Sequence, residues 1–308
     1  MKGLELARNF YNKTGKKLIE DTCPELIGRA AFGLVGEGSE CFGYDDELSK
    51  DHDLGEDYCI WLNDEDYQKY GHILKENYKA LERNSDFSTL ITDHREGRVG
   101  VLSISGFYRK YTGLDRLPQN SKEWLAIPED YLATVTNGQV FFDPLGEFSR
   151  IREGLLAFYP CEVVKKKLCA YLLDCSQTGQ YNLPRLYKRL DGPSFALAKG
   201  IFLEAVFHVL FLLEKSYLPY YKWRFKALED TSYPKELIED LKFIAVNNMS
   251  EENMAKIDKV CLYISDLLRY YDFTGSQSTY LEDLAYEIYA SINDEYLKDL
   301  HILYGGLR

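Results

Sequence analysis

The fold is decided by the segment Ala30–Leu62, which reads AAFGLVGEGSECFGYDDELSKDHDLGEDYCIWL. Its first part, Ala30–Val35, is a short apolar run that stops at the glycine-rich turn Gly36–Ser39. A run of this kind, bounded by glycine, predicts a buried strand that enters a turn. A second strand is predicted within Asp53–Leu62, because this stretch ends in the apolar run Tyr58–Leu62. The segment therefore predicts two buried strands that are joined by an acidic connection.

The turn and the acids that follow it combine residue types that suit phosphate and metal binding. Glycine at position 38 lets the backbone approach an anion closely, and Ser39 adds a hydroxyl donor. Asp51 and Asp53 are expected to alternate along a strand, where residues i and i+2 share a face. Mg²⁺ accepts such paired carboxylates together with substrate phosphates, whereas His52 should face the other side and be structural. The alternatives are a turn or N-cap serine and solvated loop acids.

The order of these parts resembles the nucleotidyltransferase superfamily typified by DNA polymerase beta and the aminoglycoside nucleotidyltransferases. That family has an apolar strand, Gly-Ser, a short spacer and Asp-x-Asp, which Gly38-Ser39 and Asp51-His52-Asp53 match. An extended form of the pattern resembles a bacterial subgroup in which a helical domain of unknown function follows the catalytic domain. The residues that carry this extension, and the later segments through which the resemblance continues, are Gly43, Asp45, Asp46, Ser49, Val99–Tyr108, Thr136–Arg152, Gly179–Pro184 and Tyr217–Phe225.

The resemblance implies transfer of an NMP, expected to be AMP, from an NTP, expected to be ATP, to a hydroxyl of a small molecule with release of pyrophosphate. Asp51 and Asp53 would hold Mg²⁺ or Mn²⁺, and Gly38 and Ser39 would hold the β- and γ-phosphates. The third carboxylate that the family places on a later strand is absent from Arg98–Ile104. NMP transfer to a protein or a tRNA end, and a catalytically weak nucleotide sensor, therefore stay open as alternatives, as does the oligomeric state.

The remaining patterns predict an α+β protein with two domains. A helix is predicted over Leu4–Asp21, with a possible break at Thr14-Gly15, and a second over Asp64–Arg83. A third strand is predicted over Arg98–Ile104. After Asp143 only helical patterns follow, namely Phe148–Phe158, Glu162–Cys175, Phe195–Ser216, Lys235–Val246, Glu251–Tyr271 and Thr279–Leu303.

We therefore predict a nucleotidyltransferase-like catalytic domain over residues 1–145, built on a small mixed sheet with helices on one face. A helical-bundle domain over residues 146–308 is predicted to bind the acceptor and close over the cleft.

The helical half contains further candidate residues, each with two interpretations. Glu204 and His208 are four residues apart in an apolar helix, so they share one face and either satisfy each other or line an acceptor pocket. In the second interpretation Glu204 is the general base, a role that the aminoglycoside-type relatives imply. Lys188 and Lys222 lie in basic, tyrosine-containing clusters that either contact the triphosphate or form solvated helix faces. Arg109-Lys110 has the same two interpretations.

Composition limits the compartment and the partners. The chain has 308 residues and a net charge of −12, so general binding to nucleic acid is not expected, although a local basic groove is not excluded. The seven cysteines include no CxxC pair, and Met1–Lys17 has no continuous apolar run, so we predict a cytoplasmic protein with reduced thiols. The apolar stretch Ile201–Leu213 is too short for a membrane span, and Lys165-Lys166-Lys167 is predicted to be a solvated face.

Overall fold

The computed structural model describes residues 2–46, 57–83 and 97–307, without the side chains of residues 82 and 83. The chain divides into two compact units. The first unit contains residues 1–118 and 127–157, and the second contains residues 119–126 and 158–308. The sequence placed the boundary at residue 145, so residues 146–157 belong to the first unit rather than to the helical one. Residues 119–126 join the second unit from a distant part of the sequence.

The first unit contains a small mixed sheet. Among the described residues its strands are β1 (Ala31–Leu34), β2 (Cys59–Leu62), β3 (Gly100–Ser103) and β4 (Gln139–Phe142), in the order β3-β2-β1-β4. Strand β1 is antiparallel to both β2 and β4, and β2 is parallel to β3. Because β1 and β2 are antiparallel, the carboxyl end of β1 and the amino end of β2 lie at the same sheet edge.

Helices pack on both faces of this sheet, so the expectation of helices on one face is wrong. Ile60 and Leu62 of β2 join a buried cluster with residues of α1 (Gly3–Thr22) and α3 (Asp64–Arg83). Trp61 lies between them in sequence, and successive side chains of a strand point to opposite faces. Its ring is completely buried.

The Trp61 ring contacts two more helices of the first unit. It stacks on Phe148 of α7 (Glu147–Leu156) at 3.9 Å and meets Phe107 of α4 (Ile104–Thr112) edge-on at 5.6 Å. The apolar run that predicted β2 is therefore covered on both sides, as an uninterrupted apolar strand requires. Two short α-helices, α2 (Ser39–Phe42) and α6 (Glu129–Thr136), and a 3₁₀ turn, Pro24–Leu26, complete the described elements of this unit.

Helix α1 runs without a break through Thr14-Gly15, where a break was predicted. Gly15 is buried, and a Cβ placed there would lie 2.3 Å from the ring of Tyr11. The glycine therefore makes room for an aromatic ring inside a continuous helix.

The described part of the second unit is built from helices. The helices are α5 (Ser121–Ala126), α8 (Cys161–Cys175), α9 (Leu183–Lys188), α10 (Gly192–Leu213), α11 (Arg224–Glu229), α12 (Lys235–Val246), α13 (Glu251–Tyr270), α14 (Leu281–Ala290) and α15 (Glu295–Asp299). A π-helical segment, Ser176–Asn182, joins α8 to α9. Helix α10 is long and apolar enough to span a membrane by length and composition alone, and 56% of its most apolar window is buried inside the fold. The helix begins at Gly192 rather than near Ile201, so the prediction that this apolar region is too short to span a membrane is wrong for the helix as a whole.

The last predicted helix, Thr279–Leu303, is two separate helices in the structure. Helix α14 ends at Ala290, and α15 begins after Asp294, whose side chain accepts a hydrogen bond from the N–H of Leu297. The same carboxylate accepts a hydrogen bond from the hydroxyl of Ser121 in α5 at 2.5 Å. Asp294 therefore starts α15 and also attaches the segment 119–126 to the second unit.

The lysine run 165–167 is not a solvated face, so that prediction is wrong. Lys166 is fully buried, and its Nζ donates to the carbonyl oxygens of Leu300 at 3.1 Å and His301 at 2.7 Å. Lys167 is 5% exposed, and its Nζ lies over the rings of Tyr159 and Tyr171. Lys166 thus attaches residues 300–301 to α8, and Lys167 packs on two aromatic rings, because backbone carbonyls and aromatic faces replace the water that a lysine needs.

We expect the burial of Lys166 to make stability depend on pH. Burial lowers the pKa of Lys166 from 10.5 to about 8. Between these values the unfolded chain holds a proton that the folded chain has released, so stability rises as the pH rises. Relative to Lys166→Met, the unfolding free energy of the wild type should therefore rise by up to about 1.4 kcal/mol for each pH unit between the two pKa values. Urea unfolding at pH 7.5 and pH 9.5 measures this difference.

The exposed residue Lys235 supplies the matched control for this experiment, as Lys235→Met. A difference in unfolding free energy between wild type and Lys166→Met that stays constant over this pH range would contradict the prediction.

A second prediction concerns the contact between β1 and the turn before β4. Gly138 has φ +58°, and a Cβ there would lie 2.0 Å from the carbonyl oxygen of Leu34. Gly28 has φ +73° with open space around the Cβ position. Gly28→Ala should therefore cost about 1–2 kcal/mol, from backbone strain alone. Gly138→Ala should cost more than about 3 kcal/mol, because the backbones must also separate. Equal shifts of the two denaturation midpoints would show that the close approach is unimportant.

Candidate functional site

The turn after β1, residues 36–39, contains two glycines with positive φ and is called the glycine turn below. Gly36 has φ +138° and Gly38 has φ +127°, a region that residues with side chains rarely adopt. A Cβ at position 38 would lie 2.5 Å from a carboxylate oxygen of Glu40. Both glycines are therefore needed for the course of the chain from β1 into α2.

Ser39, the first residue of α2, is 3% exposed. Its hydroxyl oxygen is buried and has no hydrogen-bond partner among the described residues. A buried hydroxyl without a hydrogen-bond partner costs free energy, so its presence in this turn needs an explanation. Among the predicted site residues, Gly38 and Ser39 therefore lie together in a turn suited to an anion.

The turn is held by a residue that the sequence interpretation did not single out. The side-chain oxygen of Asn137 accepts a hydrogen bond from the N–H of Gly36 at 3.0 Å, and its amide nitrogen donates to the carbonyl of Gly36 at 2.8 Å. Next to it, the N–H of Gly138 donates to the carbonyl of Cys41 at 2.8 Å. Segment 137–138 thus binds the chain on both sides of Ser39.

Arg152 in turn holds this segment in place. Its Nη2 donates to the carbonyl oxygens of Thr136 at 2.7 Å and Asn137 at 3.0 Å, with Gly138 at 3.4 Å. These carbonyls end helix α6, where backbone acceptors have no partner within the helix. Asn137 and Arg152 lie in the stretch Thr136–Arg152 that the resemblance included, but its pattern gave no indication of their role.

A charged cluster surrounds Glu37, the residue between the two glycines. One carboxylate oxygen, Oε1, accepts from the hydroxyl of Tyr111 at 3.0 Å and lies 3.0 Å from Nζ of Lys110. The other, Oε2, lies 3.0 Å from Nε of Arg98. Burial acts to raise the pKa of Glu37, but the hydrogen bonds from Lys110 and Tyr111 and the charge of Arg98 outweigh it, so its pKa lies below the ordinary value. The carboxylate is therefore an anion at neutral pH.

The predicted metal ligands Asp51 and Asp53 lie outside the described residues. The described chain resumes at Asp57, two residues before β2, at the sheet edge where the glycine turn also lies. Strand β3 contains no acidic residue. Among residues 2–46, 57–83 and 97–307, no group of three His, Cys, Asp or Glu side chains could hold a metal ion.

Glu204 lies in the second unit and is already paired. Its carboxylate forms an ion pair with Arg224, and Oε1 lies 3.5 Å from Nε2 of His208, whose ring stacks on Tyr171 at 4.2 Å. Burial acts to raise the pKa of Glu204, but the contacts with His208 and Arg224 lower it below the ordinary value. A carboxylate with a lowered pKa holds a proton weakly, which makes it a weak general base at neutral pH.

The two lysines proposed for phosphate binding also belong to the second unit, and both are exposed. Lys222 lies over the ring of Trp223 at 4.6 Å, and Lys188 ends helix α9. Of the four residues predicted to bind the nucleotide, the structure therefore brings Gly38 and Ser39 together in the first unit. It places Lys188 and Lys222 on separate elements of the second.

Comparison with known proteins gives one match. A family model described as a domain of unknown function, DUF4037, matches residues 124–224. No curated protein and no solved structure matches the chain. The matched segment contains Asn137, Arg152 and Glu204, whereas the glycine turn and the predicted metal ligands precede it.

We predict that Asn137 stabilises the glycine turn through its two hydrogen bonds. Asn137→Ala removes both bonds and leaves the buried N–H and C=O of Gly36 without their partner, so unfolding free energy should fall by about 2–3 kcal/mol. Gln139→Ala removes one exposed amide contact, with Arg8, and should cost less than about 0.5 kcal/mol. Denaturant unfolding of both variants measures the difference, and similar losses would contradict a special role for Asn137.

Proposed function

We propose that this protein is a Mg²⁺-dependent nucleotidyltransferase that moves an NMP, expected to be AMP, from an NTP to a hydroxyl of a small molecule. The observation that supports this most is the buried hydroxyl of Ser39, which has no partner among the described residues and stands in a glycine turn at the end of β1. Such a turn offers a hydroxyl and backbone N–H groups to an anion.

In this proposal the turn orients the phosphates and the acids after it hold the metal. Gly38 and Ser39 would bind the β- and γ-phosphate oxygens, so that the α-phosphate is presented to the acceptor. Asp51 and Asp53 would hold Mg²⁺, which when bound neutralises charge on the phosphate oxygens. Asn137 would keep the turn in place during binding, because it holds the Gly36 peptide from both sides. The general base stays unassigned.

The net charge of −12 favours a small acceptor over a nucleic acid, since the chain has no excess of basic residues to neutralise phosphates. NMP transfer to a protein or a tRNA end is the alternative within the same chemistry. The roles of Lys188, Lys222 and Glu204 in binding nucleotide and acceptor stay predictions.

A nucleotide sensor is the second candidate function, and one observation favours it. Strand β3 contains no acid, so the third carboxylate that the resemblance implies is absent from it. A site with two carboxylates can bind Mg²⁺ together with nucleotide phosphates and still lack efficient transfer.

The proposal predicts that Asp51→Ala and Asp53→Ala each abolish transfer and weaken binding of Mg·ATP, because each removes a metal ligand. Ser39→Ala should weaken nucleotide binding by about tenfold, since it removes a hydrogen bond to a charged group. Pyrophosphate release across candidate acceptors and titration calorimetry with Mg·ATP measure the two effects.

Glu65→Ala removes an exposed acid from the same unit and is the control. Unchanged pyrophosphate release in both aspartate variants would rule out the transferase. Binding of Mg·ATP by the wild type without pyrophosphate release from any acceptor would favour the sensor.

A further inference from the structure

Two hydrogen-bonding groups and the charge of one arginine converge on the carboxylate of Glu37. Lys110 Nζ and the Tyr111 hydroxyl both approach Oε1 at 3.0 Å, and Arg98 Nε approaches Oε2 at 3.0 Å. Lys110 Nζ also donates to the Tyr111 hydroxyl at 3.0 Å, so the donors are connected to one another. A lysine, an arginine and a tyrosine hydroxyl around one anion form the donor set that proteins use for phosphate oxygens.

The position of this cluster connects it to the glycine turn. Glu37 stands between Gly36 and Gly38 and two residues before Ser39, so its carboxylate is an anion carried by the turn itself. The side chains of Glu37 and Lys110 are 40% and 44% exposed, and a solute can therefore reach them from solvent. Tyr111 is 5% exposed and holds its hydroxyl in a fixed place.

We infer that Glu37 is an internal competitor for the phosphate position, and that Arg98, Lys110 and Tyr111 change from Glu37 to the terminal phosphates when a polyphosphate ligand binds. The inference rests on the proposed function and adds the regulation of that site. The Glu37 side chain is 40% exposed and can rotate about its own torsions, so the carboxylate can leave while the backbone of the turn stays attached to Asn137.

The competition selects the class of ligand. A carboxylate with one charge is displaced by an anion that brings more charge and several acceptor oxygens to the same donors. Linked phosphates, as in inorganic tripolyphosphate or a nucleoside triphosphate, meet this condition better than a nucleoside monophosphate. Weakly charged anions therefore do not displace Glu37 from these donors, whereas a polyphosphate does.

Titration calorimetry of the full chain with inorganic tripolyphosphate at pH 7, without divalent metal, tests the inference independently of Asp51 and Asp53. Glu37→Gln removes the competing charge and should bind tripolyphosphate about threefold to fivefold more tightly than wild type. Lys110→Gln and Arg98→Gln should bind it more weakly by a similar factor. Tyr111→Phe should weaken binding less, because the hydroxyl brings no charge.

The neighbouring ion pair of Arg109 and Asp115 supplies matched controls, since Asp115→Asn and Arg109→Gln change the net charge by the same amounts on the same unit. If Asp115→Asn strengthens binding as much as Glu37→Gln does, the effect is one of general charge and the inference is overturned. Glu37→Asp, which retains the charge but retracts it, gives a second test if Glu37→Gln does not fold.

The two levels of the proposal can fail separately. Wild type that binds tripolyphosphate and Mg·ATP, with no gain in Glu37→Gln, overturns the inference and leaves the transferase standing. No binding of either ligand by wild type or by Glu37→Gln overturns both.

Discussion

The candidate site depends on the side-chain amide of Asn137, which accepts a hydrogen bond from the N–H of Gly36 and donates one to its carbonyl oxygen. The two residues are 101 positions apart in the chain, so the turn after β1 does not hold itself. Arg152 extends the restraint by donating to the carbonyls that surround Asn137. Gly138 completes it, because only a residue without Cβ can approach the Leu34 carbonyl so closely. The glycine turn is thus a local motif held by distant parts of its own unit.

The hydrogen bonds of Asn137 and Arg152 hold the turn in a conformation that carries both the Glu37 carboxylate and the buried Ser39 hydroxyl. Positive φ at Gly36 and Gly38 sets the course of the chain into α2, and the Glu40 carboxylate lies close to Gly38. The Ser39 hydroxyl has no hydrogen-bond partner among the described residues, and Lys110 and Tyr111 share one oxygen of the Glu37 carboxylate. A buried hydroxyl without a hydrogen-bond partner is costly, and for this reason the proposed ligand site is placed at this turn. The family match over residues 124–224 includes Asn137 and Arg152, which hold the turn, and not the turn itself.

Much of the local structure could be predicted from the sequence. The helices Asp64–Arg83 and Lys235–Val246 have the predicted bounds, because their apolar residues repeat with helical spacing. Strand β1 lies within the predicted run Ala30–Val35, because a short apolar run that ends at glycine favours a buried strand. Strand β4 was not predicted, since it is a partly exposed edge strand of four residues without alternation. The burial of Lys166 could not be predicted either, because its Nζ donates to the backbone carbonyls of Leu300 and His301, and a pattern of side chains does not indicate such acceptors.

By itself, the sequence determined the strand–turn order, the composition of the acidic segment 36–57 and the helical character of the chain after Asp143. These are local properties, set by residue type and by periodicity along the chain. Only the tertiary structure decided that Asn137 holds Gly36, that Arg98 and Lys110 meet at Glu37, and that Arg224 pairs with Glu204. The physical reason is that hydrogen bonds and ion pairs act over a few ångströms. Which distant donors and acceptors come within that range is decided by how the strands and helices pack.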